Sequence, residues 1–319
     1  MNLIEEAVVI ELFGIRMYAF GVYVALGVLC AMIVLAVCGR IMNMKAGTAA
    51  LSACLGTVCG FIFSRIVFCL LNQELDSLTP LSVWPQVSGG GWSMFGLIIG
   101  AYFGGWISAR IMKEKPGKIS DAMSLALLPL IAAERIGESR ISDFDVSRPL
   151  DSQFLAGSFL SVGEDEPVLA TYYIAAAVAV VLFIVLAFRL SRKEKEGILT
   201  NAFFLLFGAA TIITESLRYD FFLSITFVGL QQVAAAMMLA LGIILALRRS
   251  RGIKTATGIC AVISLPVMVG IIIGLEFALD RTTWNKFLIY AGMIITVGIP
   301  AALGMILLKK GNGSRESDF

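Results

Sequence analysis

The feature that most constrains this chain is a series of apolar runs, each roughly 20 residues long, separated by polar linkers. A helix of that length matches the hydrocarbon core of a bilayer. Lipid offers the backbone no hydrogen-bond partners, so such a run must satisfy its own N–H and C=O groups and is therefore helical. Nine candidate spans follow, at about 17–38, 47–71, 94–110, 119–134, 168–189, 199–217, 225–247, 256–279 and 287–308. The composition agrees: 58% of residues are hydrophobic and 15% charged, against about half and a quarter in a soluble domain. The expectation is an all-α, polytopic membrane helical bundle.

Charge placement gives an orientation. Of the 25 Lys and Arg residues, 17 fall in five linkers that alternate along the chain, around Arg40, Lys113, Arg192, Arg249 and Lys309. Intervening linkers are acidic, with Glu74, Asp76, Asp143, Asp145, Asp151, Glu164, Asp165 and Glu166 among them. Basic linkers stay cytoplasmic, so the N-terminus is expected outside and the C-terminus inside. Nine spans require the same result. The first 12 residues carry three glutamates and no basic residue, which is wrong for a cleavable signal peptide. The first span is therefore expected to serve as the insertion signal.

Several chemistries are disfavoured. The chain has no His, and its six cysteines lie inside apolar runs without metal-ligand spacing. They read as small packing residues, and no metal or other cofactor is expected. The glycines Gly89, Gly90, Gly91, Gly96 and Gly100 suggest a phosphate loop but open a membrane helix outside the cytoplasm. Close helix packing better explains the four-residue spacing of Gly96, Gly100 and Gly104. The basic linkers set topology, so nucleic acid is not an expected partner.

The remaining charges point to a site. Arg65 lies inside the second span, Arg135 at the end of the fourth and Arg218 at the end of the sixth. An ionisable residue within a span is costly and by default faces the bundle interior for a functional reason; snorkelling to the interface is the bland alternative. Glu215 and Arg218 are three apart and can pair on one helix face. Glu134, Arg135 and Glu138 form a second cluster. Facing each other near the outer leaflet, the two clusters would suit a phosphate head group, because guanidinium forks match phosphate oxygens. The carboxylates can serve as bases or simply neutralise the arginines.

Four stretches, in order, resemble prolipoprotein diacylglyceryl transferase, the bacterial enzyme that lipidates lipoprotein precursors. They are YAFGVYVALG from Tyr18, FSRIVFCL around Arg65, GGWSMFGLIIG from Gly90 through ISDAMSLALLPLIAAERIGE, and IITESLRYD from Ile212. Gln231 and Gln232 stand near the family's G-Q pair. The resemblance covers roughly residues 10–247 and implies seven family-like helices, with spans eight and nine an added C-terminal hairpin. The implied division is a family-like membrane domain at 1–250, a transmembrane hairpin at 251–310 and a disordered cytoplasmic tail at 311–319. It also implies the bacterial cytoplasmic membrane as location.

The resemblance further implies residue roles. Arg135 falls on the family's signature arginine, Gly137 on its glycine, and Glu215 and Arg218 on its E-x-x-R pair. Arg135 and Arg218 would hold a phosphatidylglycerol-like head group, with Arg65, Tyr18, Gly90, Gly91 and Gly137 completing the lipid site. The departures are equally specific. Phe95 stands where the family has His, Glu138 and Ile141 replace its asparagines, Asp143 falls where it has Glu, and only Tyr172 survives of the segment before its fifth helix. Without His, Glu134, Glu138, Asp143 or Glu215 would have to take the thiol proton. The expected function is transfer of a diacylglyceryl group from phosphatidylglycerol to a lipoprotein precursor's cysteine. A non-catalytic phospholipid- or lipoprotein-binding relative and a lipid transporter are the alternatives.

Overall fold

A computed structural model describes residues 8–12, 15–71, 91–140, 158–162, 168–192, 194–218, 224–225, 228–282 and 284–313. Nine α-helices are present among them, and these match the nine candidate spans in order. They are α1 (Ala19–Ile41), α2 (Thr48–Leu71), α3 (Met94–Met112), α4 (Pro116–Glu138), α5 (Thr171–Ser191), α6 (Ile198–Ser216), α7 (Leu230–Ser250), α8 (Ala256–Arg281) and α9 (Lys286–Gly313). Eight are long and apolar enough to cross a membrane, among the described residues. The other is α4, which carries Lys118, Asp121, Glu134, Arg135 and Glu138 yet is buried along most of its length. A helix covered by its neighbours need not be apolar all round, because protein rather than lipid surrounds its polar groups. The chain is an all-α, multi-pass membrane protein.

The chain divides into two compact units, residues 1–187 and 188–319. In the first, α4 packs on α1 and α3 on α2, and α1–α2 and α3–α4 contacts close the set. The α2–α3 seam is tight because glycines face it. A Cβ on Gly96 would sit 2.6 Å from the Phe63 carbonyl oxygen, and one on Gly100 or Gly104 would run into the backbone of Cys59 or Leu55. Small residues at that spacing let helix backbones approach, as expected from the sequence. At one end of this unit α1 begins, α2 ends, α3 begins and α4 ends, so four helix ends gather there. At the other end Lys45 holds the α1–α2 loop to the α3–α4 loop. Its backbone N–H donates to Glu114, and its Nζ donates to the Met112 and Lys113 carbonyls at 3.1 and 2.7 Å.

In the second unit α6 is the centre, with 72% of its most apolar stretch buried. It packs on α7, and α9 packs on α6, α7 and α8. The added hairpin, α8 and α9, is thus seated on the two preceding helices. Helix α9 continues to Gly313, three residues into the stretch read as a tail; residues 314–319 lie outside the described residues.

Three short antiparallel hairpins among the described residues were not anticipated. They are β1 (Val8–Leu12) with β2 (Ile15–Tyr18), β3 (Ser161–Val162) with β4 (Val168–Leu169), and β5 (Ser224–Ile225) with β6 (Val228–Gly229). They immediately precede α1, α5 and α7.

Candidate functional site

Arg65 is 3% exposed, six residues before the end of α2. Its Nη1 donates to the carbonyl oxygen of Gly91 at 2.7 Å. Its guanidinium also lies over the rings of Phe68 and Trp92, with centroids 5.5 and 5.7 Å away. Planar Arg stacks on aromatic faces in this way, and the attraction grows when water is excluded. The chain reaches this point because Ser64 and Ser93 lock together. The Ser64 hydroxyl donates to the Ser93 carbonyl at 2.8 Å and accepts from the Ser93 N–H at 2.9 Å. Ser93 also caps α3, accepting from the Gly96 N–H at 3.2 Å; a Ser at this position satisfies one of the helix's orphan N–H groups. Gly91 has φ +85°, and a Cβ there would collide with the Phe68 ring and lie 2.9 Å from Arg65 Nη1.

Arg135 is also 3% exposed, in the last turn of α4. Its Nη1 donates to Glu138 at 2.8 Å, its Nε lies 3.7 Å from Glu134, and its Nη2 donates to the Met94 sulfur at 3.4 Å. Glu138 is itself buried. Arg65 and Arg135 therefore both reach the Gly91–Met94 stretch that opens α3, one through Gly91 and the other through Met94. Gly137 lets α4 lie against α1: a Cβ there would be 3.0 Å from the Tyr23 Cβ and 3.1 Å from the Phe20 ring. Tyr18 is half-buried at the start of α1, where its side chain does not cap the helix. Phe95, beside Met94, is buried.

Deeper along the same helices is a small, partly open apolar groove. Val28, Leu35, Phe61, Leu97, Met123 and Leu130 contribute to its lining. Leu130 lies on α4 five residues before Arg135 and Leu97 on α3 three residues after Met94. One end of the first unit thus offers buried guanidinium groups, and hydrocarbon walls lie further along the same two helices.

In the second unit Glu215 and Arg218 pair with Oε2 3.9 Å from Nε, both side chains largely buried. The Arg218 N–H donates to the Glu215 carbonyl at 3.1 Å, so the chain leaves α6 in a tight turn that keeps the two side chains together. Beside this turn Ser216 donates through its hydroxyl to the Met293 sulfur at 3.3 Å and accepts at its carbonyl from the Tyr290 hydroxyl at 3.4 Å. Gln232, in the first turn of α7, donates to Glu276 of α8 at 2.8 Å.

Among the residues singled out from sequence, Arg65, Gly91, Arg135, Gly137 and Glu138 lie at one end of the first unit, with Tyr18 at the start of α1. Glu215 and Arg218 lie together in the second. Gly90 and Asp143 fall outside the described residues. Trp92 and Met94, which touch the two arginines, were not singled out, although both lie in the GGWSMFGLIIG stretch. Glu276 did carry one: it is an acid inside an apolar run, selected by the same rule that singled out Arg65, and it is 3% exposed. Asp121, equally buried in α4, belongs to the same class.

These features define a polytopic helical membrane protein with buried, ion-paired arginines near the ends of its bundles. The family model for prolipoprotein diacylglyceryl transferase matches residues 7–248, and the chain belongs to that family of membrane transferases of lipoprotein biosynthesis. No curated protein matches it. The match ends within α7, so α8 and α9 lie beyond it.

Proposed function

We propose that this protein transfers a diacylglyceryl group from phosphatidylglycerol to the cysteine thiol of a lipoprotein precursor at the outer face of a bacterial cytoplasmic membrane. The observation that carries this reading is Arg135, buried and held by Glu138 and Met94, with an apolar groove deeper along α3 and α4. An anionic head group against guanidinium N–H donors and acyl chains among Leu and Val side chains is the arrangement a phospholipid requires. Arg65 lies against the same opening turn of α3. The family resemblance gives Arg218 the same task.

In the reaction the thiol sulfur forms a bond to the terminal glyceryl carbon, and the bond from that carbon to the phosphate oxygen breaks. Glycerol phosphate leaves with the electron pair. Arg135 and Arg218 stabilise the charge that grows on it, as fixed donors do in a water-poor site. The thiol proton goes to a carboxylate. Glu134, Glu138, Glu215 and Asp143 are the candidates, since the chain has no His. With the N-terminus outside, as the charge placement implies, the start of α1 lies on the side where precursors emerge.

One observation favours a second reading, a relative that binds phospholipid or lipoprotein without turnover: Phe95 is a buried apolar side chain where the family resemblance expects the His. A single assay separates the two. Purified protein is incubated with phosphatidylglycerol and a peptide bearing a lipobox cysteine, beside Arg135→Ala and Arg218→Ala. Release of glycerol phosphate that disappears in both variants establishes transfer. Lipid retained without release, and lost in the variants, establishes the binding relative. Neither release nor retention overturns both.

A further inference from the structure

The C-terminal hairpin lies outside the stretch that matches the family, yet it is not peripheral. Two of its side chains, Tyr290 and Met293, contact Ser216, one residue beyond Glu215 and two before Arg218. A third, Glu276, reaches Gln232. The topology explains why they meet. Helix α6 ends, α7 begins, α8 ends and α9 begins at one end of the second unit, so Ser216, Gln232, Glu276 and Tyr290 lie within a few turns of that end.

The Gln232 amide is used on both sides. Its Nε2 donates to Glu276 Oε1 at 2.8 Å and faces the Ile212 carbonyl at 3.4 Å, and its Oε1 accepts from the Gly229 N–H at 3.1 Å. Gln232 and Glu276 are 4% and 3% exposed. Turning the amide over would place Nε2 against the Gly229 N–H and Oε1 against the Glu276 carboxylate, losing both strong bonds in a place without water to replace them. Glu276 Oε1 accepts from the amide nitrogen, so it holds the orientation in which the amide oxygen caps the first turn of α7. Glu276 also makes interactions beyond this bond.

We infer that the hairpin is part of the site in this protein, and that Glu276 is a positioning residue: through Gln232 it fixes the first turn of α7 beside the Glu215–Arg218 turn. This rests on the phospholipid reading given above, and adds to it an element from outside the family match. The hairpin contributes one oxygen that holds a Gln of α7 and two side chains that hold the end of α6.

The test uses the full chain in lipid nanodiscs, with Glu276→Leu, Glu276→Gln and Gln232→Leu. Leu keeps the volume and removes the acceptor; Gln removes the charge but keeps an acceptor oxygen. Two readouts are taken: hydrogen exchange of the Gly229 to Gln232 amides, and affinity for phosphatidylglycerol over a zwitterionic lipid of the same acyl chains. Glu276→Leu is expected to speed exchange at Gly229 and to weaken phosphatidylglycerol binding by about tenfold or more, the scale of a lost bond to a charged group. Glu276→Gln is expected to recover most of both, and Gln232→Leu to match Glu276→Leu with no further loss in the double variant. Faster exchange with unchanged affinity, in a protein that binds phosphatidylglycerol, would show a purely structural bond and overturn the inference. Unchanged exchange in Glu276→Leu would overturn it as well. A wild-type protein that does not discriminate the two lipids overturns the phospholipid reading itself, and the inference with it.

Discussion

Arg65 donates to the carbonyl oxygen of Gly91 at 2.7 Å, from one transmembrane helix to the turn that opens the next. The contact depends on a backbone conformation that glycine adopts easily. With φ at +85°, Gly91 turns its carbonyl toward the guanidinium, and the space a Cβ would need is taken by Phe68 and Arg65. Gly91→Ala is therefore expected to lower stability by about 1–3 kcal/mol, since a non-glycine residue in this region is strained and here it also clashes. Thermal unfolding in detergent measures it. A melting temperature equal to wild type would mean that the turn is free to reshape.

Arg135 and Glu138 are both buried and 2.8 Å apart. Removing one member of such a pair leaves the other charge without that partner in a medium that solvates it poorly. Arg135→Ala is expected to cost about 3–5 kcal/mol, and Arg135→Ala with Glu138→Ala distinctly less. Both variants are expected to lose phosphatidylglycerol retention, because the guanidinium is absent from each. A double variant that is stable yet still retains the lipid would remove Arg135 from the site.

The α2–α3 seam gives a prediction of stability alone. A Cβ on Gly100 would run into the backbone at Cys59, so any larger residue must push the helices apart. Gly100→Leu is expected to cost at least the roughly 1–3 kcal/mol typical of an overpacked core. The effect should resemble that of Gly104→Leu, one turn on, which meets Leu55 in the same way. Serine at either position is expected to be milder. Thermal unfolding of the four variants, with the lipid-binding assay run beside it, shows whether the seam matters to the fold only.

How much of this was legible in the sequence depends on the range of the interaction. The nine helices were, because a 20-residue apolar run in lipid has one solution for its backbone. The Gly96–Gly100–Gly104 seam and the Glu215–Arg218 pair were legible for the same reason: both are local periodicities on one helix. Arg135's partners on its own helix, Glu134 and Glu138, were legible too; the partners that Arg65 and Arg135 find on other elements were not. Trp92, Gly91 and Met94 reach them through tertiary packing, which residue spacing does not encode. The strand hairpins before α1, α5 and α7 were missed because two- to five-residue pairings leave no usable alternation. Glu276 was readable as an acid inside a span, but its partner Gln232 lies 44 residues away on another helix. Only the folded α7–α8 contact joins them.

The last prediction concerns the opposite end of the first unit and carries a pH dependence. Glu114 accepts the backbone N–H of Lys45 at 3.0 Å and lies 3.7 Å from Lys118. The bond from Lys45 is the main cause that holds the Glu114 carboxyl below its ordinary value of 4.5; partial burial opposes it, and a bond from the Lys115 N–H and the charges of Lys118 and Lys45 add to it. A carboxylate whose folded pKa is depressed stabilises the fold above its unfolded pKa, and that contribution disappears as pH falls through the folded value. The contact between the α1–α2 and α3–α4 loops is therefore expected to be intact at neutral pH and to loosen only below the ordinary carboxylate range. Glu114→Gln keeps an acceptor but does not titrate. Hydrogen exchange of residues 42–47 between pH 7 and pH 3, corrected for intrinsic rates, is expected to show loop opening that rises with acid in wild type and stays flat in Glu114→Gln. The same acid dependence in both proteins would mean that another group controls the loop, and the Lys45–Glu114 bond would then be a consequence of the fold rather than a cause of its pH response.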